Sequence, residues 1–139
     1  MPVYRKELTN HKAVYVKNEV RLQKIAARLN LAPKILKTDN KTFIEMVQLE
    51  EMNVGDMYGN DIDEIPARVL GGIFSLVWTL YHVCGIEYLD LWPRNFIEVG
   101  ERVWVIDFGD ARMKKDKKDN YLESVFKKGR ITKWNPEFA

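Results

Sequence analysis

Two short runs gather residue types that could do chemistry: "EYLDLWPRN" (87–95) and "VIDFGDAR" (105–112). The first holds Asp90 and Asn95, and the second holds Asp107. Carboxylate and amide oxygens are the donors that hard cations accept, and a carboxylate can also take a proton. Taken singly, each residue has an ordinary reading: a surface Asp, a loop-capping Asn, a strand-end Asp in a turn. Their placement is less ordinary, because each ends an apolar segment and a strand hairpin separates Asn95 from Asp107.

The elements that must position them follow from patterning. "PVYRKEL" (2–8) alternates as a strand, with Val3, Arg5 and Glu7 on one face and Tyr4, Lys6 and Leu8 on the other. "TNHK" breaks it. A helix is expected from Asn18, with Asn18 as N-cap, Glu19 in the first turn, and Leu22, Ile25, Ala26 and Leu29 buried. Pro33 stops it. "KILK" and "TFIEMV" flank the turn signal "TDN". The polar run "EEMNVGDMYGNDIDEIP" reads as a connector with one short helix. In residues 67–84, Val69, Leu70, Ile73, Phe74, Val77, Leu80, Tyr81 and Cys84 recur at helical steps, with Arg68 and His82 among them. That is a buried amphipathic helix rather than a membrane span. "FIEV" and "RVWVIDF" then pair across "GE". Strand, helix, hairpin, connector, long helix, loop and hairpin make an α+β order, not an alternating βαβ one.

Bulk properties set limits. The chain has 139 residues, enough for one core. Cys84 is the single cysteine and cannot close an internal disulfide, which favours a reducing, cytoplasmic compartment. The start carries no apolar run of signal-peptide type. The formal net charge is +2, but residues 111–139 hold nine Lys/Arg against four Asp/Glu. This basic tail reads first as a solvated end, and second as a contact for acidic partners or nucleic acid. Ser124 and Thr132 lie in it as candidate self-modification sites.

The run "YLDLWPRNFI…VWVIDFGDA" resembles the catalytic core of the protein-kinase superfamily, whose loop reads H-R-D-L-x-x-x-N and is followed after a hairpin by D-F-G. Tyr88 stands in the His place, Leu89 in the Arg place, and Asp107-Phe108-Gly109 is intact. The resemblance implies that Asp90 orients an acceptor hydroxyl and receives its proton, while Asn95 and Asp107 hold Mg2+ against the phosphates of ATP. "VYRKEL" takes the position of the family's V-A-I-K. Lys6 is then the candidate for the phosphates and Glu19 its partner; Lys12 and Lys17 are expected to be solvated. "NEVRLQKIAARLNLAPKILKTDNKTFIEM" is similar to the small atypical kinases of the RIO type and of the tRNA threonylcarbamoyladenosine complex. Residues 46–51 would then be the hinge that meets adenine.

On this resemblance the fold is a minimal kinase-like one. Residues 1–46 form a truncated N-lobe sheet, 47–66 the hinge and connector, 67–113 a reduced helical C-lobe, and 114–139 the basic tail. There are departures from the family pattern. No Gly-rich loop precedes the lysine strand, and "NPEF" (135–138) is a distant echo of A-P-E. Leu89 replaces an arginine that pairs with phosphorylated activation segments, and Trp92 replaces a phosphate-contacting lysine, for which Arg94 is a partial substitute. Three readings follow. The first is an atypical kinase or ATPase that binds ATP and Mg2+ and acts on a Ser/Thr protein acceptor. The second is a catalytically weak, kinase-like binding or inhibitory module. The third is a small-molecule phosphotransferase. A protein partner or self-association is expected for the exposed strand edges.

Overall fold

In the computed structural model of the chain, residues 2–114 and 121–136 are described. They form a small α+β fold with four helices and small antiparallel sheets.

Strand β1 (Val3–Glu7) leads into helix α1 (Ala13–Arg28), followed by β2 (Ile35–Thr38) and β3 (Phe43–Val47). The three strands form an antiparallel sheet in the order β1-β3-β2, with Lys6 opposite Ile44 and Tyr4 opposite Met46. The turn between β2 and β3 is built as its sequence suggests. Asp39 Oδ1 accepts from Lys41 N (2.9 Å) and Thr42 N (2.8 Å), and Asn40 takes a positive φ of 61°.

Helix α1 starts earlier than its sequence suggests. Ala13 opens it, Lys12 stands at the N-cap without a side-chain cap, and Asn18 lies inside it. Burial decides the outcome. Val16 and Val20 pack with Leu8, Ile44 and Met46 into a small core under the sheet, so tertiary contact makes the β-branched and aromatic run "AVYV" helical. Leu22 and Ala26, on another face of the same helix, join the main core. Leu29, expected inside, is exposed at the helix end, where the chain turns through Asn30 at φ 58°.

The connector holds α2 (Val54–Tyr58), N-capped by Asn53, whose side chain accepts from Asp56 N at 2.8 Å, and a 3-10 turn at Ile62–Glu64. Helix α3 (Ala67–His82) buries Val69, Ile73, Val77, Leu80 and Tyr81 as expected, and Leu76 beside them, while Leu70 and Phe74 are half-buried. It packs closely on the hairpin of β5 (Phe96–Val99) and β6 (Arg102–Val105), because a Cβ on Gly72 would stand 2.7 Å from Val103 Cγ2. Gly100, at φ 62°, begins the two-residue hairpin turn. The short strands β4 (Ile86–Glu87) and β7 (Arg112–Met113) pair across the second motif. Among the described residues, no helix is long and apolar enough to cross a membrane.

The basic tail differs from its solvated reading. Helix α4 (Tyr121–Lys128) buries Leu122 and Val125 in the main core, and Ile131 and Trp134 follow them there. Trp134 Nε1 donates to Asn60 O (2.8 Å), and Asn135 Nδ2 donates to Leu89 O (2.8 Å). Lys127, Lys128, Arg130 and Lys133 are exposed on this amphipathic helix and its continuation, whose apolar residues are too sparse to dominate composition. Residues 115–120 and the 137–138 part of "NPEF" lie outside the described residues.

Candidate functional site

Strand β1 and helix α1 bring Lys6 and Glu19 together. Lys6 lies on the sheet face that also carries Tyr4, and Glu19 sits on the second turn of α1 rather than its first. Lys6 Nζ pairs with Glu19 Oε2 and also reaches Asp107 Oδ1 at 3.1 Å. Glu19 is 4% exposed, so this is a buried carboxylate held by one cation. Burial works against the charge on Lys6, but Asp107 and Glu19 outweigh it and raise its affinity for its proton. Burial pushes the Glu19 carboxyl upward, opposed by Lys6.

Asp107 is fixed from several sides. Its Oδ1 also accepts from Gly109 N at 2.8 Å, and its backbone carbonyl accepts from the buried Tyr88 hydroxyl. A Cβ on Gly109 would lie 3.1 Å from Asp107 Oδ1 and 3.6 Å from Glu19 Oε1, so the glycine lets these carboxylates approach the turn. Phe108 is fully buried and meets Tyr88 edge-on at 5.7 Å, with Phe96 at the same distance on Tyr88. The aromatic cluster is the floor on which the Asp107 turn rests.

Asn95 ends a 3-10 turn (Pro93–Asn95) at the start of β5. Its Nδ2 donates to Asp90 O at 2.9 Å, and its own carbonyl accepts from Ile106 N at 3.0 Å. The side chain is therefore oriented by the loop behind it and presents its amide oxygen as its remaining polar atom. The Asp90 carboxyl is half-buried. Burial raises its pKa, Asn95 draws it back, and the charges of Asp110 and Asp107 push it up further.

Lys6, Asn95 and Asp107 line one cleft of about 370 Å3. Residues 46–49 and Glu51, the expected hinge, form one wall, and Ile97 and Ile106 add apolar surface. Tyr4 and Arg94 also border it, and Arg94 faces Asp56 at 3.8 Å. This volume and mixed lining are those of a small-ligand site. Among the described residues, no cluster of three or more His, Cys, Asp or Glu could hold a metal by itself. The donor set instead fits Mg2+, which keeps water and phosphate oxygens and takes only one or two protein ligands. Here those would be the Asp107 carboxylate and the Asn95 amide oxygen.

The structure thus brings Lys6, Glu19, Asn95 and Asp107 together; Asp90 does not line the cleft, and Asn95 reaches Asp90 at its backbone carbonyl. Lys12 and Lys17 are exposed, as expected. Trp92 does not border the cleft; it packs edge-on against Trp134 with centroids 6.4 Å apart. Two contacts were missed in the sequence. One is the Tyr88 hydroxyl on Asp107. The other is Asn18, which is no cap but ties α1 to the second motif by donating from Nδ2 to Ala111 O at 3.1 Å. Neither leaves a spacing signal, since both are side-chain bonds to distant backbone. Comparison of the chain with protein-family models and with curated proteins finds no match.

Proposed function

We propose that the chain is a minimal protein-kinase-like domain that binds ATP with Mg2+ in this cleft and transfers or hydrolyses the γ-phosphate. The observation that carries the reading is Lys6, held by Glu19 and Asp107 at a cleft that Asn95 shares. In such a site Lys6 neutralises phosphate charge, and Glu19 keeps its ammonium in place. Bound Mg2+ supplies further neutralisation of the phosphates. Asp90 accepts the proton of an acceptor hydroxyl or of water at its carboxylate, a role helped by a pKa raised through burial. Tyr88 and Gly109 hold Asp107 in register. The acceptor that fits the resemblance is a Ser/Thr hydroxyl of a protein. The free thiol of Cys84 and the demand for ATP favour a cytoplasmic setting.

A second reading, a kinase-like binding module with little turnover, is favoured by one feature: the direct Lys6–Asp107 pair, which occupies both groups with each other. Phosphate release from γ-labelled ATP separates the two. The kinase or ATPase reading expects Mg2+-dependent release by the wild type, and an Asp90→Ala variant that still binds ATP but releases phosphate at least about a hundredfold more slowly. Unchanged release in Asp90→Ala contradicts the catalytic reading, and ATP binding without release in the wild type supports the binding module.

A further inference from the structure

The charge of this protein is concentrated away from the cleft. Residues 9–42 carry eight Lys/Arg and two acids, while the rest of the chain is net −4. Neither acid neutralises the exposed cations. Glu19 is buried on Lys6, and Asp39 accepts hydrogen bonds from Lys41 N, Thr42 N and Thr42 Oγ1 within its own turn.

Four of the cations, Lys17, Arg21, Lys24 and Arg28, recur at steps of four, three and four on α1. They therefore form one stripe, about 16 Å long at the rise of a helix. All four are exposed, and none forms an ion pair among the described residues. The stripe continues into a cavity of about 460 Å3, where Lys24 and Arg28 meet Lys34 and the indole of Trp104. The Arg102 guanidinium lies 4.8 Å from the Trp104 ring centroid and donates to Asn30 O at 2.5 Å, fixing one side of this recess.

We propose that this face binds single-stranded nucleic acid, with phosphates along the α1 stripe and one base stacked in the Trp104 cavity. Unpaired cations at regular intervals suit a repeating phosphate backbone. A recessed indole rimmed by cations suits a flat base, and in a duplex the base faces would be hidden. An anionic membrane would engage protruding apolar groups, which here are Val14 and Tyr15 at the start of α1, 66% and 61% exposed, and Leu29 and Leu36, each 45% exposed, rather than a recessed ring. The Trp104 cavity adjoins the proposed catalytic cleft through Pro33, Val47 and Leu49, but none of the polar residues of that cleft lines it, and its test does not depend on nucleotide turnover.

The test is fluorescence anisotropy of a labelled oligouridylate, and of the matching oligothymidylate, each of about twelve nucleotides, titrated with the full chain at several salt concentrations. The expected result is binding whose log K falls with log[salt] at a slope of about −2 to −3, the value for three or four neutralised phosphates on a single strand. The double variant Lys24→Glu/Arg28→Glu, at exposed positions that leave folding intact, should weaken binding by about tenfold or more and flatten the slope. Trp104→Leu should weaken it about fivefold or more at unchanged slope. A preference for RNA or DNA identifies the natural strand; either supports the proposal. Three results overturn it: no binding at low salt, binding indifferent to Lys24→Glu/Arg28→Glu, or equal competition by duplex with no effect of Trp104→Leu. Tighter binding to phosphatidylserine vesicles that is lost in Leu29→Ser/Leu36→Ser also overturns it, in favour of a lipid surface.

Discussion

Replacing Lys6 with Met removes the cation that holds Glu19, and the size of the effect can be worked out beforehand. Glu19 is 4% exposed, and its ordinary pKa is 4.5. Without Lys6 the carboxylate must stay charged in a poor environment or take a proton. Protonation at pH 7 sets the ceiling: two and a half pH units above 4.5, at about 1.36 kcal/mol each, is about 3.4 kcal/mol. That agrees with the range of about 3–5 kcal/mol for breaking a buried pair. The sign has a pH signature. In the variant, the folded pKa of Glu19 lies further above its unfolded value, so its contribution is intact below pH 4.5 and is lost as pH rises through the folded pKa. Urea denaturation of wild type and Lys6→Met at pH 4.5 and pH 7 measures this directly. The deficit should be about 3 kcal/mol at pH 7 and should shrink markedly toward pH 4.5. Lys6→Met/Glu19→Leu, which removes both charges, should recover most of the loss. A pH-independent deficit below about 1 kcal/mol would refute the reasoning, because Glu19 would not then depend on Lys6.

Other outcomes follow from neighbouring contacts. Asp90→Asn should raise the melting temperature at neutral pH, since burial raises the Asp90 pKa and disfavours its charge. The gain should vanish below pH 3.8, where the carboxyl is protonated in both folded and unfolded chains, and a thermal melt at the two pH values checks it. Tyr88→Phe deletes the hydroxyl that satisfies the Asp107 carbonyl while keeping the ring between Phe96 and Phe108; it should cost about 1–3 kcal/mol in chemical denaturation. Gly72→Ala should cost about 1–3 kcal/mol by driving a methyl group against Val103, and Val103→Ala in the same chain should relieve most of that, as a double-mutant cycle would reveal.

Much of the fold was legible because it follows simple periods. β1, the β2–β3 hairpin, α3 and the β5–β6 hairpin lie where alternation, helical spacing and turn residues put them. The misses have physical causes. The first turns of α1 are β-branched and aromatic, and they become helical because Val16 and Val20 can bury beneath the sheet. Residues 121–136 are rich in lysine, so charge masked the four apolar residues that anchor them. In the site, the spacing of Asp90, Asn95 and Asp107 and the position of Lys6 were readable as a pattern. The bonds that orient them were not, because Tyr88 and Asn18 reach backbone atoms 19 and 93 residues away. The concentration of positive charge on α1 was in the sequence as well, but only the helix start and the Trp104 recess give it a single face.

The central claim is that Lys6, Asn95 and Asp107 form one cleft for a metal-bound triphosphate. Calorimetric titration of the full chain with ATP, with and without Mg2+, tests it most directly when repeated on Asp107→Ala. The account predicts Mg2+-dependent binding by the wild type that falls at least about tenfold in the variant. ATP binding that ignores both Mg2+ and the loss of Asp107, or no ATP binding by the wild type, would contradict it.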